Sequence, residues 1–268
     1  MDGLVSIIMP NYNCAEYIDE TVNSVLSQTY TNWELLIVDD CSNDNSLETI
    51  KSYAEKDERI KLFVNEKNSG AAASRNRALR EAGGRWIAFL DSDDLWTADK
   101  LEKQIKFMGD NGYKFSCTDY GCIDQRSQSL NEVVTGPKKI TKRKIYNCNY
   151  LGCLTVMYDA ETVGVVQIPD SIVKRNDYAL WLKVCKKAVC YRLKGVYAYY
   201  RKRIGSISHQ SKKDLIKHHY RVFRNSENMC AFRAFFYTCN NLFHVAFKKL
   251  RYVKKVKDSL QKSNGVSK

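Results

Sequence analysis

In the first 120 residues, short apolar runs of strand composition alternate with stretches whose apolar residues recur at helical spacing. That alternation restricts the fold more than any other feature of the chain. Residues 5–9 predict a strand, and Tyr17, Ile18, Thr21, Val22, Val25 and Leu26 then share one helix face. Residues 35–38 predict a second strand, which ends abruptly in Asp39 and Asp40. A helix over 46–55, a strand over 60–64 and a helix over 71–82 follow, and Gly83-Gly84 stops the last of these. Residues 86–90 predict the fourth strand, ending in Asp91-Ser92-Asp93-Asp94; Thr97 then caps a helix carrying Leu101, Ile105 and Phe107. Strands joined by single helices imply an α/β class, with a mostly parallel sheet covered on both faces.

Beyond residue 120 the pattern weakens. Residues 127–144 are polar and predict a loop; 154–158 predict a strand and 178–187 a helix. Two short strands are expected over 189–193 and 196–200. From about Asp214 the periodicity is helical, and Phe232, Phe235, Phe236, Cys239, Leu242, Phe243, Ala246, Leu250 and Val253 form one stripe.

Charge separates the tail from the rest. The chain carries 43 Lys and Arg against 30 Asp and Glu, a net +13. Residues 201–268 hold 17 of the basic and 3 of the acidic residues, leaving the first 200 at 26 against 27. A near-neutral body with acidic strand ends argues against a nucleic-acid-binding module. The ten cysteines show no C-x-x-C pair, and several lie in apolar runs, so buried thiols are expected rather than a zinc site. The opening MDGLVSIIMPNYN has no basic region leading into an apolar one, and no run reaches a membrane span, so a cytoplasmic protein is expected.

In an open parallel sheet, ligands bind outside the carboxyl ends of the strands. Two such ends here carry acids, and although each cluster alone reads equally well as a helix cap, two on strands that can lie side by side favour a ligand site. No G-x-G-x-x-G follows the first strand and no P-loop is present, so Rossmann dinucleotide and P-loop nucleotide sites drop out. An Asp-x-Asp facing a crevice suits Mg or Mn, bound by one or two carboxylates plus substrate phosphates. The second acidic pair can then hydrogen-bond a base or ribose, and a nucleoside diphosphate joined to a transferable group accounts for both clusters.

Residues 5–13 (VSIIMPNYN), 27–30 (SQTY), 34–44 (ELLIVDDCSND), 68–76 (NSGAAASRN) and 89–94 (FLDSDD) stand in the order and spacing of a known family. The chain resembles the family 2 glycosyltransferases of GT-A fold, inverting enzymes of the bacterial polysaccharide and O-antigen type that use nucleotide sugars. The resemblance runs from about Val5 to Gln210. It implies a catalytic region over 1–210, with a nucleotide-binding half (1–120) and an acceptor half (121–210), followed by a basic helical tail over 211–268. It places Asp40 on the uracil of UDP with Asp39 in support, Pro10 and Tyr12 beneath the base, and Arg75 near the nucleotide. Asp91 falls on the ribose and Asp93 on the divalent cation, with Asp94 as a second metal participant. The family's general base falls on Asp177 in Arg175-Asn-Asp-Tyr-Ala-Leu-Trp-Leu182, a segment that departs from the family at Asn176 and Ala179, where acids are common. In Tyr199-Tyr-Arg-Lys-Arg-Ile-Gly-Ser-Ile-Ser-His-Gln210, His209 completes the metal shell or contacts the diphosphate, and Arg201 or Arg203 offsets leaving-group charge. A Gln-x-x-Arg-Trp signature is missing, which implies a single transfer per encounter.

The tail leaves two readings open. Its aromatic stripe with Arg233, Lys248, Lys249, Arg251, Lys254 and Lys255 suits peripheral contact with anionic lipid on the cytoplasmic face of the inner membrane. There the site would meet a glycan acceptor carried on a polyprenyl diphosphate. Alternatively the helix packs on the catalytic region with its basic face solvated. A phosphohydrolase using the Asp-x-Asp is the alternative function, but it leaves Asp39, Asp40 and Asp177 without a role.

Overall fold

Residues 3–203 and 212–255 are described by a computed structural model. The first half follows the sequence pattern: β1 (Val5–Asn11), α1 (Ile18–Leu26), β2 (Trp33–Asp39), α2 (Ser46–Lys56), β3 (Ile60–Val64), α3 (Ala71–Glu81) and β4 (Trp86–Phe89). A two-residue β5 (Leu95–Trp96) precedes α4 (Lys100–Asp110). Then come β6 (Phe115–Ile123), β7 (Ser129–Val134), β8 (Lys139–Ile140), α5 (Lys142–Asn147), β9 (Met157–Asp159) and α6 (Ala160–Val163). The last described elements are α7 (Asn176–Lys187), β10 (Cys190–Arg201), α8 (Lys212–Arg221), α9 (Ala231–Tyr252) and β11 (Val253–Lys255).

One sheet runs through both halves in the order β3-β2-β1-β4-β9-β6-β7-β11. Strands β1 to β4 pair in parallel, whereas β9 is antiparallel to both β4 and β6 and so joins the halves. Strand β10 lies parallel to β6 and also takes β5 and β8 as antiparallel partners. The strand period of two divides the core. Ile7 and Met9 pack with α1, α2 and α4, while Ile8, Leu36, Val38, Ile87 and Phe89 pack with α3 and α7. All seven residues of β1 and of β2 are buried, as expected of strands covered on both faces.

Several expectations are corrected. Residues 127–144 hold β7, β8 and the start of α5 rather than a loop. Their strands are short, only partly buried, and held by backbone pairing with neighbours, which hydrophobic periodicity does not reveal. The two strands expected over 189–200 are one, β10, whose register against β6 shifts between Leu193 and Val196. Gly195 sits in that bulge at φ 138, a conformation other residues rarely adopt. Strand β9 starts only at Met157, because Cys153–Thr155 form a 3-10 turn. Asp99, not Thr97, precedes α4; the Thr97 hydroxyl donates to Asp99 Oδ1 (2.8 Å).

Candidate active site

Strands β2 and β4 are not neighbours, because β1 lies between them. Being parallel, they still end at the same edge of the sheet, two ladder spacings apart, or about 10 Å. Their acidic termini therefore lie along one edge of the sheet, on either side of the end of β1.

At the end of β2, Asp39 accepts from Asn11 Nδ2 (2.7 Å), the Ser42 amide (2.9 Å) and the Ser42 hydroxyl (2.6 Å), which ties β1 to the following turn. Asp40 accepts from Asn65 Nδ2 (2.7 Å) and the amides of Ser69 (2.9 Å) and Gly70 (2.7 Å). The positive φ of Gly70, 85°, lets this turn lead directly into α3. A carboxylate offers about four acceptor positions, so Asp40 keeps one on Oδ2. Pro10 is buried in β1, while Tyr12, just beyond the strand, is 45% exposed.

Beyond β4 the acids are crowded. Asp94 is buried and accepts from the Arg201 amide (2.9 Å). Burial, together with the charges of Asp93 and Asp91, raises Asp94 well above the usual carboxylate range. Burial also raises Asp93, with the nearby Arg203 opposing and Asp91 adding to the shift. Arg203 Nε lies 2.8 Å from Asp93 Oδ2. Asp91 forms an ion pair with Arg75.

The two predicted arginines of β10 and its exit diverge. The Arg201 guanidinium is buried against Glu20 (2.6 Å), the Ser127 hydroxyl (2.8 Å) and the Asp93 carbonyl (2.7 Å). It braces the acidic turn and is not exposed at the sheet edge in this structure. Arg203, half-buried on Asp93, is the arginine at the carboxylates. His209 lies outside the described residues.

Asp177 is the second residue of α7, half-buried, and its Oδ2 accepts from Asn149 Nδ2 (3.3 Å). The link between this residue and the acids after β4 is Arg75, whose Nη1 donates to Asn176 Oδ1 (2.6 Å) while Nη2 pairs with Asp91. Burial works against the Arg75 charge, but Asp91 and Asp177 are among the groups that more than offset it, so its pKa is raised. Sequence reading placed Arg75 near the nucleotide. It missed that Asn176, noted as a departure from the family, is the partner that joins the two halves. Asn149, Asn65 and Ser69 were also missed; each acts through a contact distant in sequence and carries no local motif.

All ten cysteines are free; Cys14, Cys117, Cys122, Cys148, Cys185 and Cys190 are buried, Cys153 is half-buried, and Cys41, Cys230 and Cys239 are exposed. Among the described residues no three His, Cys, Asp or Glu side chains converge to hold a metal by themselves. The fit to a divalent ion is instead that of a shared site. Asp93 carries hard carboxylate oxygens of the kind a divalent ion takes together with phosphates, and Arg203 now pairs with them.

Helix α9 packs on the body of the protein, but not through its aromatic stripe. Ala234, Thr238 and Asn241 are the buried face of α9, whereas Phe232, Phe235, Phe236, Phe243, Phe247 and Leu250 face outward, Phe232 at 79% and Leu250 at 85% exposure. The helix meets the body through small and polar groups and through Tyr237, whose ring packs on Tyr146 and Phe223. Asn241 Nδ2 donates to the Tyr178 hydroxyl (3.0 Å) and Asn240 Nδ2 to Asn147 Oδ1 (2.9 Å). Packing of the aromatic stripe on the catalytic region is therefore ruled out in this structure. No helix among the described residues is long and apolar enough to cross a membrane.

Comparison with known proteins bears on family and fold. The family model for glycosyl transferase family 2 matches residues 6–153. A Bacillus subtilis (strain 168) protein named as the teichuronic acid biosynthesis glycosyltransferase TuaG is 43% identical over 227 residues, 84% of this chain and 89% of its own. The Escherichia coli UDP-Glc:alpha-D-GlcNAc-diphosphoundecaprenol beta-1,3-glucosyltransferase WfgD is 46% identical over 186 residues, 69% of this chain and 71% of its own. Among solved structures, S. aureus TarS 1–349 in complex with UDP-GlcNAc superposes with a TM-score of 0.70 at 22% identity, covering 92% of this chain and 74% of its own. That superposition establishes the GT-A type of fold. The chain is a glycosyltransferase and belongs to glycosyl transferase family 2.

Proposed function

We propose that the protein transfers one sugar, with inversion, from a UDP-sugar to a sugar carried on a polyprenyl diphosphate, in the synthesis of a cell-surface polysaccharide. The observation that carries this reading is the Arg75 bridge, which holds donor-side Asp91 and the α7 residue next to Asp177 in one cluster. The names of two relatives support the substrates. WfgD is named for UDP-glucose and a GlcNAc-diphosphoundecaprenol acceptor, and TuaG for teichuronic acid synthesis.

In this reading the open acceptor position of Asp40 receives the uracil N–H, with Tyr12 and Pro10 beside the base and Asp39 fixing the turn. Asp91 hydrogen-bonds the ribose. A Mg or Mn ion, held by Asp93 and the donor's phosphate oxygens with Asp94 and His209 contributing, would supply charge neutralisation for the departing diphosphate. Arg203 leaves Asp93 and takes up part of the same charge; Arg201 keeps the acidic turn in place. Asp177 removes the proton of the acceptor hydroxyl as its oxygen bonds to the anomeric carbon. The bond from that carbon to the diphosphate oxygen breaks on the opposite face, and UDP departs with the electron pair. The exposed stripe of α9, bordered by Arg233, Lys249 and Arg251, rests on anionic lipid and keeps the site at the cytoplasmic face of the inner membrane.

The test is Asp177→Asn, assayed with a panel of UDP-sugars and manganese. UDP affinity is expected to stay within about twofold while transfer falls by about 100-fold or more. Transfer at the wild-type rate removes Asp177 from the role of base.

A further inference from the structure

The inner face of α9 brings a cation to the neighbourhood of the base. Lys248 Nζ donates to the Asn149 carbonyl (2.8 Å), and Asn149 Nδ2 donates to Asp177 Oδ2 (3.3 Å). Two contacts thus connect an ammonium on the tail helix to the carboxylate of α7. An ammonium has three N–H donors, and two of those on Lys248 meet no partner among the described residues. Two residues before Asp177, Arg175 stands immediately ahead of α7 in the left-handed conformation at φ 61. Its guanidinium has no hydrogen-bond or ion-pair partner among the described residues, and both side chains are half-buried. Burial lowers Lys248 from the ordinary lysine value, and Arg175 adds to that effect while Asp177 opposes it. Two cations with unused donors therefore share a partly desolvated place beside one carboxylate, and that imbalance calls for an anion with several acceptor oxygens.

We propose that Lys248 and Arg175 form the subsite for the diphosphate of the acceptor, one sugar ring away from the hydroxyl that Asp177 deprotonates. This rests on the reading of the acceptor as a sugar diphosphate. The subsite lies on the helix whose outer face carries the aromatic stripe, so a lipid-borne diphosphate can meet Lys248 as its chain remains at the surface on which α9 rests. The diphosphate would anchor the acceptor, and the sugar next to it would be presented to the base. Phosphates of the bilayer itself carry the same chemistry, and the experiment separates the two sources.

Isothermal titration without lipid compares octyl α-GlcNAc diphosphate with octyl α-GlcNAc, which lacks the diphosphate. The wild-type protein is expected to bind the first at least about tenfold more tightly, the size of one hydrogen bond to a charged group. Lys248→Ala and Arg175→Ala should each reduce that preference about tenfold, and Lys248→Arg should restore most of it. Equal binding of the two compounds by the wild-type protein overturns the proposal. So do equal losses for both compounds in the alanine variants, which mark a structural role. A third overturning result is an intact preference in variants that no longer sediment with phosphatidylglycerol vesicles, which assigns the cations to the bilayer. None of these measurements needs turnover, so absence of transfer from every UDP-sugar would defeat the proposed function separately.

Discussion

Arg75 and Asn176 stand 101 residues apart in sequence, yet Arg75 Nη1 donates to Asn176 Oδ1 at 2.6 Å inside the protein. The same guanidinium pairs with Asp91, so one planar fork joins the end of β4 to the start of α7. Asp91 and the residue beside Asp177 therefore share one partner on α3.

Arg75→Lys is expected to keep the charge near Asp91 but lose the second arm of the fork. Transfer should then fall by about tenfold or more while UDP affinity changes little, because the misplacement is felt between the two halves. Arg75→Ala leaves the Asp91 carboxylate and the Asn176 amide without their shared partner and should lower unfolding stability by about 3 kcal/mol, read by urea denaturation. A fully active lysine variant would show that the fork has no part in alignment.

Arg203 occupies the carboxylate on which a metal is proposed, with Nε 2.8 Å from Asp93 Oδ2. A guanidinium and a divalent ion then compete for one group. Arg203→Ala should tighten manganese binding to the nucleotide-free protein by several-fold, measured by electron paramagnetic resonance. In the same variant transfer should drop by about tenfold to 100-fold, since the cation that meets the leaving diphosphate is gone. Weaker manganese binding in the variant would mean that the ion pair shapes the site instead of competing for it.

The parts of the fold and site that were legible in the sequence are those set by local pattern. Strands β1, β2 and β4 are buried throughout and so read as apolar runs, and the acids after β2 and β4 stand out because they interrupt those runs. Strand β7 was not legible, since its residues do not alternate apolar with polar and it is held by backbone pairing to β6 and β11. Nor was the direction of the α9 stripe. Helical spacing shows that one face is apolar, but only the tertiary contacts of Asn240, Asn241 and Lys248 show that the other face is the one turned inward. Arg201 and Arg203 look equivalent in sequence; one lies under Tyr17, bonded to Glu20, and the other reaches Asp93.

Lys100 carries a pH signature. Its side chain is fully buried, donates to Gln104 Oε1 (2.8 Å) and lies 4.0 Å from the Trp96 ring centroid. Burial pushes its pKa down to about 7. In the unfolded chain the value returns to about 10.4. Between about pH 7 and the onset of thiol ionisation near about 8.5, the unfolded chain therefore holds a proton that the folded chain lacks, so this lysine makes stability rise with pH. At higher pH the buried thiols Cys122 and Cys148, raised to about 12 and about 11, act in the opposite sense. Thermal unfolding at pH 7.0 and 8.5 should show a smaller upward change in Lys100→Met than in the wild-type protein. An identical pH dependence in both would mean that Lys100 keeps its proton when buried.

The last prediction concerns the outward face of α9. Phe243 and Phe247 are 67% and 55% exposed and touch no part of the hydrophobic core, so charging them should leave folding intact. Surface binding through such a helix combines apolar burial with electrostatic attraction. Phe243→Asp with Phe247→Asp removes the first and opposes the second, and should abolish sedimentation with anionic vesicles while the melting temperature stays within about 2 °C. Lys249→Ala with Arg251→Ala removes only charge. At about 1 kcal/mol for each basic residue, vesicle affinity should fall about 30-fold at low salt, and the difference should shrink as ionic strength rises. If instead the double aspartate variant still binds vesicles but changes from dimer to monomer in solution, the aromatic stripe is an interface between two copies of the chain and the lipid reading of α9 is wrong.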